Sequence, residues 1–285
     1  MKYLIVFLSL IFMFGCSSQP NSISNTMDYA KTVISGTKAT TDQLKERLPE
    51  EDFKLGLSII NKVVTHETYK NDDPRVKYLN NIVHVLKKYS SKPYIYNDYK
   101  VVLLKAKSFN AYALPGGIIV VHDGIFKKTY NEDQIAAILA HEIGHIENEH
   151  FIEDKNVEDY YKISKLALKQ TMKDKNLNNS NLEDKLESIL SKMTNKILKG
   201  YSVEQESEAD QTALKLLAKS GYETKPLTDV LKNLEKISHS YAGGNYPKNR
   251  VELIKNSDLY SSKVENISFM KSREKRFDNI KYKRY

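Results

Sequence analysis

Among its 285 residues the chain has one cysteine, no tryptophan and only 7 prolines. With Cys16 alone, no intramolecular disulfide can form, so the fold is held without covalent staples. Long apolar runs are also missing: the stretch from Tyr3 to Phe14 is well short of the roughly 20 residues that a membrane-spanning helix needs. Neither disorder nor a polytopic membrane protein fits a hydrophobic fraction of 40% beside a charged fraction of 28%. No internal repeat and no second domain is visible, and the length suffices for one large core.

The apolar run at the N-terminus follows Lys2 and leads into Gly15 and Cys16, the layout of a signal peptide over residues 1–15. Cys16 after a small residue resembles a bacterial lipobox, in which the cysteine is lipidated and begins the mature chain. Ser17 behind it resembles lipoproteins sorted to the outer membrane. The expectation is an exported protein, anchored to a membrane by its N-terminal lipid at the periplasmic face of the outer membrane. Residues 16–45, rich in Ser, Thr and Asn, read as its tether. The net charge of +8 is strongest at the C-terminus, where 256–285 read as a basic, solvated tail. An exported chain meets little nucleic acid, and none is expected as a partner.

Between tether and tail the pattern is mostly helical. Pro49 opens one amphipathic helix, and Asp73 followed by Pro74 caps a second. Three short β runs come next, "PYIYN", "KVVLLKAK" and "GGIIVVH". Helices then fill the chain from Asn131, including one at "VEDYYKISKLALKQTMK" and a single long one ending at Gly221.

The chemistry sits in "AAILAHEIGHIENEH", Ala136 to His150. Asn131 is the expected N-cap, with Glu132 and Asp133 in the first turn. At about 100° per residue, His141 and His145 leave one helix face a turn apart, a two-ligand grip for a zinc ion. Glu142, about 100° round from His141, is poorly aimed to bind the metal and well placed to hold a water as general base. His150, about 180° round, is expected at the surface. A metzincin would need glycine at 148 and histidine at 151, where Asn148 and Phe151 stand.

Catalytic zinc needs a third protein ligand. In "SVEQESEADQTALKLL" Glu206 and Asp210 share a face that Ala209, Ala213 and Leu217 continue, whereas Glu204 and Glu208 point about 200° away, toward solvent. Glu206 is therefore the expected ligand, and Asp210 the acceptor that orients a ligand histidine.

Three ordered blocks, "NAYALPGGIIVVHDGIF", "LAHEIGHIENEH" and "SVEQESEAD", resemble the HtpX-like and CAAX-prenyl-protease-like zinc metallopeptidases, a gluzincin family, and in particular their single-domain bacterial lipoprotein members. The resemblance implies an α+β fold over residues 46–255, mainly α-helical, with a small β-sheet at the active-site cleft. It implies one zinc held by His141, His145 and Glu206, the base Glu142 and the supporting acid Asp210. It also implies a substrate-binding segment at Asn110, Ala111, Pro115, Gly116 and Gly117, in which Pro115, Gly116 and Gly117 make a turn leading into an edge strand beside the cleft that pairs with unfolded or extended polypeptide substrates. Family members often carry a histidine in a late loop; here "GGNYPKNRVELI" has Tyr246 in that place, so Tyr246, Arg250 and His239 are the candidates for gating or oxyanion stabilisation. The implied function is a metalloendopeptidase acting on misfolded or mislocalised cell-envelope proteins. A zinc-stabilised chaperone or scaffold lipoprotein that rarely cleaves is the alternative.

Overall fold

The computed structural model describes residues 49–64, 66–151, 180–238, 249–260 and 267–282. The signal peptide, Cys16, the tether, the helix expected at 157–173, His239 and Tyr246 lie outside these residues. The described helices are α1 (Pro49–Val63), α2 (Pro74–Leu86), α3 (Ile125–Lys128), α4 (Glu132–Glu147), α5 (Ser180–Lys199), α6 (Val203–Lys219), α7 (Pro226–Ser238), α8 (Arg250–Lys255) and α9 (Ile267–Tyr282). They surround strands β1 (Lys100–Leu104), β2 (Ala111–Leu114) and β3 (Ile118–His122). The result is the expected mainly helical α+β fold, and none of the described helices is long and apolar enough to cross a membrane.

Sheet order is β1-β3-β2, with β3 parallel to β1 and antiparallel to β2. The central strand β3 is buried along its whole length. Its Ile119 and Val121 face a core shared with α2, α4 and α6, while Ile118 and Val120 face a second core shared with α1 and α5. The two-residue period of a strand thus feeds two apolar layers, and covering both faces explains a continuous apolar run.

Local signals set several helix starts. Asp73 accepts the Arg75 N–H at 2.9 Å with Pro74 at the first helical position, and Asn131 accepts the Gln134 N–H at 2.9 Å. Four expectations are corrected. Residues 93–97 form no strand; Asn97 and Asp98 both have φ of 61°, which turns the chain, and β2 takes the third place in the sheet. The long helix before Gly221 is two helices, because Gly200 has φ of 95° and Ser202 with Gln205 forms a capping box that starts α6 afresh. The strand after the Pro115–Gly117 turn is central; the edges are β1 and β2, and β2, the edge strand that lines the cleft, precedes the turn.

The fourth correction concerns the C-terminal segment: its residues 267–282 are the helix α9, packed on the domain. Phe277 is buried in the main core. Arg273 Nη1 lies 3.0 Å from Asp133 Oδ1, and Arg276 donates to both oxygens of the buried Glu132, 2.5 Å from Oε1 and 3.1 Å from Oε2. Charges that look solvated in the sequence here answer buried carboxylates, which would be costly unpaired.

Candidate metal centre

The site lies where α4 crosses α6. Gly144 makes that crossing close: a Cβ there would stand 2.7 Å from the backbone oxygen of Ala209. Gly144 and Ala209 therefore let the two helices meet backbone to backbone, bringing the acidic face of α6 onto the histidine face of α4.

His141 Nε2 and His145 Nε2 are 3.0 Å apart, and the Glu206 carboxylate lies 3.3 Å from the first and 3.9 Å from the second. Zinc bonds of about 2.0–2.1 Å in a tetrahedron hold ligand atoms about 3.3 Å apart. The spacing and the donor set, two imidazoles and one carboxylate, therefore fit such an ion, and these are the three residues whose donor atoms converge among the described residues. His141 Nδ1 lies 3.0 Å from Asp210 Oδ1, on the side of the ring away from the cluster. Arg250 forks onto both oxygens of Asp210 at 2.7 Å and reaches Glu206 Oε2 at 2.9 Å. It therefore braces the carboxylates of α6.

Burial and charge compete here. Burial opposes ionisation of Glu206 and Asp210, yet His141 and Arg250 outweigh it and hold both pKa values below the usual range. Burial also opposes charge on His141, but Asp210 and Glu206 raise it to about 10. At His145 burial and the charge of His141 act together and push the pKa well down; a neutral imidazole is the form that binds metal. Burial raises Glu142 to about 7, where a carboxylate both takes and returns a proton near neutrality.

A cavity of about 320 Å³ opens beside these groups, walled by Asn110, Ala111, Tyr112 and Ala113 on one side and by Ile138, Leu227, Val230 and Leu231 on the other. Asn110 and Ala111 thus lie at the cleft. Pro115, Gly116 and Gly117 do not line it: the Pro115 carbonyl sits against Gly56 and Gly116 against Phe53 of α1, while Gly117 abuts Ile95. Arg250 is buried and lines the cavity, but its fork is committed to Asp210 and Glu206.

Two further residues belong to the site. His150 is 2% exposed, contrary to the expected surface position. The helix stops before it: Glu149 has φ of 55°, its N–H bonds to the Ile146 carbonyl, and the His150 N–H bonds to the His145 carbonyl at 3.1 Å. That is a Schellman turn, and it swings His150 back beneath His145. Tyr201 stacks on the His145 ring with centroids 4.3 Å apart, delivered by the break between α5 and α6. The S-x-x-Q of Ser202 and Gln205 is the sequence signal that finds this break; no helical spacing finds His150.

Residues 75–265 match the family model described as Peptidase family M48. The chain is also similar to the beta-barrel assembly-enhancing protease of Escherichia coli, 23% identical over 65% of this chain and 37% of that one. It is similar to the mitochondrial metalloendopeptidase OMA1 of Arabidopsis thaliana, 26% identical over 51% of this chain and 28% of that one. The matched stretch spans less than half the length of these relatives.

Proposed function

The chain belongs to peptidase family M48, and on that premise we propose that it is a zinc metalloendopeptidase acting on unfolded or extended polypeptides of the cell envelope. The observation that carries this reading is the convergence of His141, His145 and Glu206 on one point beside a cavity, with the buried Glu142 on the same wall. His141, His145 and Glu206 would hold the zinc. When bound there, zinc supplies Lewis-acid polarisation of the scissile carbonyl and acidifies water.

Glu142 takes a proton from the attacking water and returns it to the leaving amine nitrogen. Its position near neutrality suits both transfers. Asp210 holds the His141 ring by Nδ1, and Arg250 holds Asp210 and Glu206 in turn. The edge of β2 away from β3 would offer backbone groups to an extended chain, selecting unfolded substrates by shape and not by sequence. The name of the Escherichia coli relative joins proteolysis to β-barrel assembly, which supports misassembled envelope proteins as the substrate class. An exported chain tethered through a lipid on Cys16 would meet such substrates at the periplasmic face of the outer membrane.

The test is Glu142→Gln. Its purified protein should bind zinc as wild type does and yet leave casein intact, while wild type produces fragments that a chelator prevents. Undiminished cleavage by Glu142→Gln contradicts the reading.

A further inference from the structure

His150 has no role in the reaction just described. Its Nδ1 lies 2.8 Å from Nδ1 of His145, and its Nε2 lies 3.0 Å from Oε2 of Glu208. A continuous line of polar atoms therefore runs from a ligand ring, through a buried imidazole, to a carboxylate whose side chain is 64% exposed. Tyr201 closes the inner end by stacking on His145. Gln205 fastens the turn, its side-chain N–H donating to the His150 carbonyl at 3.3 Å.

Protons fit this line in one direction only once His145 presents the Nε2 lone pair to a cation. A neutral imidazole that ligates through Nε2 carries its proton on Nδ1. The His145 Nδ1–H must then donate to Nδ1 of His150, which as an acceptor is unprotonated. His150 in turn carries its proton on Nε2 and donates it to the Glu208 carboxylate. Every bond points from the ligand cluster toward the surface. The opposite order would put a proton on His145 Nε2, facing the other ligands, and would leave no lone pair for a metal.

We propose that His150 and Glu208 are positioning residues for His145: they fix its Nε2-ligating tautomer and ring angle, so that an exposed glutamate on α6 tunes the metal affinity of a buried ligand on α4. The proposal rests on reading His141, His145 and Glu206 as a zinc site. The two ligand histidines are then supported differently. His141 meets a carboxylate directly at 3.0 Å, whereas His145 meets a neutral ring that passes on only part of the Glu208 charge. A histidine that merely fills space needs neither the 2.8 Å approach to a ligand ring nor a carboxylate on its far nitrogen.

Zinc affinity measured by competition with a chromophoric chelator, on the full chain at pH 7.5, tests this together with the thermal midpoint of the zinc-free protein. Outer partners of metal ligands are worth roughly 10- to 100-fold in affinity. His150→Ala should weaken zinc by about that factor, and His150→Gln, whose amide oxygen can accept the Nδ1–H, should recover part of it. Glu208→Gln removes only a surface charge; it should leave the zinc-free midpoint unchanged and weaken zinc by a smaller factor, roughly 3- to 10-fold. Wild-type affinity in His150→Ala, or in Glu208→Gln if His150→Ala does not fold, overturns the relay. If wild type itself binds zinc no better than His141→Ala, the zinc reading fails instead.

Discussion

Arg250 shares with His141 the task of balancing the acidic side of the site. It is buried and pairs with two carboxylates at once, so removing it leaves Asp210 and Glu206 ionised and close together in a poorly solvated place. Arg250→Ala should cost about 3–5 kcal/mol of folding stability in chelator-treated protein. Urea unfolding with zinc should show a smaller loss, because the ion neutralises Glu206. Arg250→Lys should not restore the difference, since an ammonium cannot fork onto Asp210. At the start of α2, the hydrogen bonds and charge of Arg75 hold Asp73 below its ordinary pKa. A depressed carboxylate contributes stability above its unfolded pKa of about 3.9 and loses it as pH falls through the lower folded value. Asp73→Ala should therefore cost about 1 kcal/mol near pH 7, and the gap from wild type should shrink below about pH 4 in denaturant titrations. Residues linked within one helix, His141 with His145 by spacing and Glu206 with Asp210 by spacing and the apolar face they share, were legible in the sequence. His150 was not, because its place depends on a helix ending at Glu147 and on a left-handed residue, Glu149, that spacing does not announce.

Elements meet where small residues permit it. Because a Cβ on Gly144 would strike the α6 backbone, Gly144→Ala should push the helices apart, lower stability by about 1–3 kcal/mol and weaken zinc binding. Isothermal titration of the variant checks the second effect, and unchanged affinity would show that the crossing does not set the ligand distances. Ala136, Ala137, Ala140 and Gly144, small residues around the histidines that let a neighbouring element come close, made this contact legible. The helix break at Gly200 was obscured by the strong helical pattern on both sides, although its cap was written in Ser202 and Gln205. The edge strand was misassigned for a different reason: β2 is a four-residue strand with little alternation to betray it, and strand order depends on pairing that no local pattern contains. The C-terminal helix shows the same limit, since its basic residues find Glu132 and Asp133 about 140 positions earlier in the chain. Phe277→Ala should cost about 3 kcal/mol, read from urea unfolding, whereas a frayed tail would give no measurable change.

For the whole molecule, the proposed ligand set would tie α4, which packs on β2, to α6, which carries the acidic face. A zinc ion held by both binds the folded chain and not the unfolded one, so it should stabilise the fold by about 2.7 kcal/mol at 100 times its dissociation constant. Three arginines, Arg250, Arg273 and Arg276, are committed to carboxylates of the domain. The proposed centre is one catalytic zinc per chain, held by His141, His145 and Glu206. Its most direct test is the rate of casein cleavage as zinc is returned to chelator-stripped protein. The rate should start near zero, rise linearly and break at one zinc per chain, with no rise in Glu206→Gln over the same range. Cleavage by the stripped protein, or a wild-type curve from Glu206→Gln, would rule out this centre.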